Sequence, residues 1–227
     1  MHLPNLDLAQ LKQEVQRFNR SRIELASDGA LHEAFALPLT RGRVALCLFS
    51  VNQFWEAQAF ANSLWTYESW VRLNFDGLDS LVEEIRTYSM PVGDEDLLTR
   101  HVIAPALKLM KEILSANTRM NYVFVTKFLH WWAGTPPVDR KAGSAIYKLT
   151  GKRTYTEGAD TKKRLEQFSE LIKIYNCWLF QITADCKLWE LRSHDFKTQT
   201  TAELRYWNSP TRIIDKYLWL RGGGKPR

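Results

Sequence analysis

A chain of 227 residues, 45% apolar and 25% charged, can bury the core of one large or two small domains and has the composition of an ordinary globular protein. Its three cysteines, Cys47, Cys177 and Cys186, show no zinc-ligand or cluster-ligand spacing, so no metal or other cofactor is expected and a reducing cytoplasm fits. No run approaches ~18 apolar residues, the start MHLPNLDLAQL has no signal pattern, and the formal net charge of +6 points toward anionic partners.

The charge is unevenly placed. Residues 1–118 hold 11 Lys and Arg against 15 Asp and Glu, whereas residues 119–227 hold 20 against 10. This suggests an acidic N-terminal helical lobe and a basic C-terminal lobe, or one continuous domain with a basic half. DNA is the simplest anionic partner; docking of the basic half on the acidic half is the alternative.

In chain order, Leu8, Leu11, Val15 and Phe18 predict a first helix over residues 5–20. Residues 21–43 are less regular, with turns marked by Gly29 and by Pro38 to Gly42. Val44 to Leu64 reads as one long, mostly buried helix. A linker at 74–77 precedes a short helix, Leu78 to Tyr88. Another runs from Glu95 to Ser115 with an apolar face of Leu98, Val102, Ala106, Leu109 and Ile113, kinked or split at Pro105.

A helix pair follows at 121–133 and 139–149, and then a polar loop, Lys152 to Gly158. Asp160 or Thr161 caps a long helix reaching Leu191, with a stripe of Leu165, Phe168, Leu171, Tyr175, Trp178, Ile182, Cys186 and Trp189. Residues 192–206 are polar and partly irregular. Ser209-Pro210 opens a last helix, Thr211 to Leu220, and Gly-Gly-Gly-Lys-Pro-Arg reads as a frayed basic tail. With no alternating strand pattern, the fold class is all-α, an orthogonal multi-helix protein.

Candidate chemistry gathers in Tyr122 to Leu149, YVFVTKFLHWWAGTPPVDRKAGSAIYKL. Lys127 stands among Val123, Phe124, Phe128 and Leu129, where a lysine either snorkels to water or sits at a pocket rim as a nucleophile. Asp139 is an N-cap, a carboxylate at the mouth of a cleft, or both. His130 shares the face of Lys127; it is a structural hydrogen-bonder or a contact to water or phosphate. Trp131, Trp132 and Arg140 complete the candidate substrate contacts, although most aromatic residues in such helices fill cores.

The pattern T-K-F-L-H-W-W…P-P-V-D-R resembles the helix-hairpin-helix DNA glycosylase superfamily over residues 119–150, and Arg212 to Trp219, R-I-I-D-K-Y-L-W, resembles an end segment of small bacterial relatives. The resemblance implies that Lys127 matches the catalytic lysine of bifunctional members and Asp139 the catalytic aspartate. It implies DNA repair chemistry: a base flipped from the duplex, Asp139 stabilising charge on the sugar, Lys127 forming a Schiff base, and Trp131 or Trp132 stacking on the base. The segment matching the family hairpin, Arg119 to Val125, contains no glycine, and the interval from Lys127 to Asp139 is short.

Lys148, Lys152, Arg153, Tyr155, Lys162, Lys163 and Arg164 form a candidate backbone-gripping surface of mobile cations and one stacking ring; a solvated loop is the plainer reading. A second class of function is a non-enzymatic DNA-binding or protein-interaction module in a bacterial DNA-processing or phage-defence system, with Trp55, Trp65 and Trp70 as an aromatic surface. A small-molecule hydrolase finds no nucleophile elbow, metal cluster or phosphate loop.

Overall fold

In the computed structural model, residues 3–36, 39–54, 72–73, 75–88, 90–116, 122–184 and 210–226 are described, and no strand occurs among them. The all-α expectation therefore holds. The first helix, α1 (Leu8–Asn19), starts where Asp7 accepts a hydrogen bond from the Gln10 amide at 3.0 Å. Leu11, Val15 and Phe18 form its buried stripe.

Residues 21–43 are more regular than expected, because α2 (Arg22–Phe35) fills most of them. Ser21 caps it by accepting from the Glu24 amide at 3.2 Å. Gly29 lies within this helix rather than in a turn. Next, α3 (Arg41–Phe54) buries Val44, Cys47, Leu48 and Val51. The remainder of the long helix expected to Leu64, and Trp55, Trp65 and Trp70 with it, lies outside the described residues.

The next described helix, α4 (Phe75–Thr87), begins earlier than expected because Phe75 is itself a core residue. The stretch expected as one helix from Glu95 comprises α5 (Glu95–Leu98), a π-helical turn (Thr99–Ile103) and α6 (Ala104–Ala116). Pro105 has no amide proton to give a preceding carbonyl, and the wider π turn just before it accommodates that loss. Leu98, Val102, Ala106, Leu109 and Ile113 are all buried, as their spacing predicts.

Then come α7 (Tyr122–Ala133) and α8 (Arg140–Thr150), the latter ended by Gly151 at φ 73°. Asp160 caps α9 (Thr161–Ala184) through the Lys163 amide at 2.7 Å. Its stripe of Phe168, Leu171, Tyr175, Trp178 and Ile182 is buried. Cys186, Trp189 and the polar stretch to 206 lie outside the described residues, as do Ser209 and Arg119 to Asn121.

The last helix, α10 (Pro210–Arg221), is buried along most of its length and packs on α8, α1 and α9. Among the described residues a hydrophobic cluster runs from Leu3 to Leu218 and draws on both halves of the chain. No described helix is long and apolar enough to cross a membrane.

The expectation of a frayed tail is corrected. A Cβ added at Gly222 would stand 1.9 Å from the Lys141 carbonyl oxygen, and one at Gly224 would stand 2.3 Å from the Trp219 ring. These glycines exist because backbone passes directly over α8 and over the indole.

Candidate active site

Two short-range devices hold the α7–α8 connection in place. Thr126 Oγ1 accepts from the Val138 amide at 3.0 Å, and His130 Nδ1 lies 2.8 Å from the Thr135 carbonyl oxygen, to which its N–H donates. Gly134, at φ 76°, makes the turn leaving α7. Thr135 and Val138 are buried by this arrangement. Because Thr126 fastens Val138, the neighbouring Lys127 and Asp139 are brought face to face: Lys127 Nζ lies 3.5 Å from Asp139 Oδ2, with side chains 12% and 19% exposed.

Asp139 also caps α8. Its Oδ1 accepts from the Lys141 amide at 2.7 Å and from the Ala142 amide at 3.4 Å. The two roles considered for this residue thus coexist on opposite oxygens of one carboxylate, which keeps its orientation rigid.

A pocket of ≈ 320 Å³ opens around this pair, at the lower end of the ~300–1,000 Å³ typical of small-molecule sites. Its walls come from both halves of the chain: Phe18 and Glu24 from α1 and α2, Lys127 and Asp139, and Arg212, Asp215 and Trp219 from α10. Arg140, Lys141 and Lys225 also line it. Lys141 Nζ sits 4.6 Å from the centre of the Trp219 ring, and Phe18 meets that ring edge-on at 5.9 Å. The tail is therefore part of the site, since Gly224 presses on Trp219 and Lys225 reaches the pocket.

Beneath the pocket lies an ionic network absent from the candidates read from sequence. Arg212 donates to Asp28 Oδ1 at 2.8 Å and to Oδ2 at 3.1 Å, and through its other nitrogen to Asp215. Lys216, fully buried, donates to Asn19 Oδ1 at 2.9 Å and stands 3.3 Å from Asp28 Oδ2. Arg212 and Lys216 also each lie 5.1 Å from the Phe18 ring centre. Two cations and two carboxylates so arranged neutralise one another; removal of any one would strand a buried charge.

The network sets unequal proton affinities. Asp28 is subject to a large burial penalty, but Arg212 and Lys216 outweigh it and hold its carboxyl below the usual range. Burial dominates for Asp215, assisted by the nearby Asp139 charge, and pushes its carboxyl up to about 6 despite Arg212 and Lys127. Burial likewise lowers Lys216 to about 8. His130 is lowered to about 4, by burial first and Arg212 second. Tyr175, whose hydroxyl is buried without a hydrogen-bond partner among the described residues, is raised by burial and by Asp215.

The other expected substrate contacts divide. Arg140 lines the pocket. His130 and Trp132 do not: His130 is buried in its backbone contact, and Trp132 packs edge-on against Phe75 and Phe128 in the core. Trp131 packs against the core beside His130 and is likewise absent from the lining. None of these three lines the pocket, to which α7 presents only Lys127. The aromatic wall is Trp219 instead.

The basic segment begins at Lys148 near the far end of α8, roughly 13 Å from Asp139 by helix rise, and none of it lines the pocket. Lys152 pairs with Glu170, Lys163 lies 3.4 Å from Glu166, and Arg153 and Arg164 cover the rings of Tyr147 and Tyr122. Tyr155 is partly buried and sits where a Cβ at Gly143 would approach it to 3.1 Å. Lys148 and Lys162 are exposed. No group of three or more His, Cys, Asp or Glu among the described residues is placed to hold a metal. Comparisons with protein-family models, curated proteins and solved structures gave no match.

Proposed function

We propose that this protein binds DNA, takes one nucleotide out of the stack into the pocket at Lys127 and Asp139, and cleaves its N-glycosidic bond as a DNA base-excision glycosylase/lyase. The observation that carries this reading is the Lys127–Asp139 contact at 3.5 Å inside a pocket of ≈ 320 Å³. An amine and a carboxylate beside one anomeric carbon supply the two things this reaction requires, a nucleophile and stabilisation of developing positive charge.

The roles follow from position. Asp139, fixed by the α8 amides, faces the charge that grows on the sugar. Lys127 attacks C1′ and forms the Schiff base through which the strand is cut. Trp219 and Phe18 offer apolar walls to the flipped base, and Arg140 and Lys225 stand where phosphates flanking that nucleotide would lie. Exposed Lys148 on α8 and Lys162 on α9 offer cations to the adjoining duplex.

Borohydride trapping tests this reading. Duplexes carrying an oxidised purine, uracil, hypoxanthine, an alkylated adenine or an abasic site are incubated with the protein and reductant. A covalent adduct that disappears in Lys127→Ala supports the reading, and no adduct and no base release on any duplex refutes it.

A further inference from the structure

The reaction proposed above leaves one proton without an acceptor. An ammonium has no lone pair, so Lys127 must lose a proton before it can attack. Asp139 stands close enough to take it, its Oδ2 3.5 Å from Nζ, but a proton held there would cancel the negative charge that the proposed reading sets against the sugar, while Oδ1 already accepts two α8 amides. Two other carboxylates line the pocket, Glu24 and Asp215. Glu24 sits in the outer first turn of α2, half-buried. Asp215 is 5% exposed and lies in the wall of the same pocket as Lys127.

Resting on that reading, we propose that Asp215 is the proton-transferring carboxyl of the site. It takes a proton from Lys127 Nζ, directly or through one water, and returns it to the departing base. Atoms and electrons balance without a co-reactant. The Nζ lone pair forms the C1′–N bond, the glycosidic bond breaks with its pair going to the base nitrogen, and the proton held by Asp215 follows that pair. The carboxylate is regenerated.

The surroundings suit this task. Arg212, gripped by Asp28 on its other side, fixes the orientation of Asp215 as a second group would orient a catalytic base. The charged and titratable groups facing Asp215 are Arg212 on its own helix, Asp139 and Lys127 across the pocket, and Tyr175 from α9. Lys216, its neighbour on the same helix, also acts on it directly, and Asp28 acts through Arg212. A carboxyl poised near 6 can both accept and release a proton close to neutral pH.

The test measures single-turnover adduct formation from pH 5 to 8 on the duplexes above, for the native chain and for Asp215→Asn, Asp215→Glu and Glu24→Gln. Native trapping should rise with a midpoint near 6. Asp215→Asn should lose that limb and react roughly 10²-fold more slowly with duplex affinity within about threefold, and Asp215→Glu should restore part of both. Circular dichroism of each variant checks folding, and the native profile keeps the test valid if Asp215→Asn does not fold: absence of a limb near 6 overturns the proposal. So does an Asp215→Asn variant with native rate and profile, or loss of the limb in Glu24→Gln alone. In those cases Lys127-dependent trapping leaves the glycosylase/lyase reading standing; if the native chain traps nothing, both fall.

Discussion

His130 and Asp215 should pull stability in opposite directions over the same pH interval. His130 is lowered from 6.5 to about 4 by burial. A base depressed in the fold contributes stability that is complete above its unfolded value and is lost as pH falls through its folded one. Two and a half units correspond to about 3 kcal/mol. Asp215 is raised from 3.8 to about 6, chiefly by burial. Its contribution is complete below 3.8 and is lost as pH rises through 6, again about 3 kcal/mol. Between pH 6.5 and 4 the two nearly cancel. His32, also lowered by burial, adds to the His130 direction, whereas Asp28 acts below 3.8.

Urea unfolding followed by tryptophan fluorescence at pH 4, 5, 6 and 7, at fixed ionic strength, separates them. The native protein should show little slope from these groups. His130→Asn should grow more stable relative to its own pH 7 value as pH falls, by about 3 kcal/mol, and Asp215→Asn should weaken by a similar amount. Both substitutions lower absolute stability, so the slope is the readout. Three parallel curves would refute the reasoning. So would a His130 ring that titrates near 6.5 in the folded protein, the ordinary value that burial is held to lower.

Removing Asp28 leaves Arg212 and Lys216 as buried cations without their shared carboxylate, so Asp28→Ala should cost about 3–5 kcal/mol in denaturant titration. Asp139→Asn keeps an amide-accepting oxygen for the α8 cap and should melt within a few degrees of native while trapping falls at least roughly 10²-fold; Asp139→Ala should lose about 1 kcal/mol as well. Gly222→Ala places a Cβ against the rigid Lys141 carbonyl and should lose about 1–3 kcal/mol, with a changed fluorescence of Trp219. If the basic surface holds duplex, replacing exposed Lys148 and Lys162 should each flatten the plot of log affinity against log salt by about 0.9; an unchanged slope would place the DNA elsewhere.

Long-periodic helices were legible in the sequence because one face of each had to be apolar: Leu11, Val15 and Phe18 of α1, the face of α6, and Phe168 to Ile182 of α9 are buried, while Leu8 and Leu165 are partly so and Cys186 and Trp189 lie outside the described residues. The Lys127–Asp139 encounter was legible because an N-cap aspartate must lie at a helix mouth and the connection back to α7 is short. By contrast, α2 is hidden in the sequence because Gly29 reads as a turn, although Ser21 and Glu24 carry the spacing of a capping box. The Asp28–Arg212 pair spans 184 positions, and nothing local marks either residue as the other's counter-charge. The tandem tryptophans of α7 lie off the pocket and Trp219 lines it, since a ring's identity says nothing about whether its helix turns it toward core or pocket. Triple glycine reads as slack, yet it is also what close backbone contact demands.

Lys216 and Asn19 join hands across 197 positions, and the pocket takes walls from α1, α2 and α10 alike. A growing chain that has made α7 and α8 already owns the amine and its carboxylate but has neither floor nor indole wall around them. If Lys127 acts on a sugar as proposed, that reactivity waits until α1, α2 and α10 have closed around it, and catalytic competence and completed folding become a single event. On that reading, a nick that frees α10 would silence the lysine without touching it.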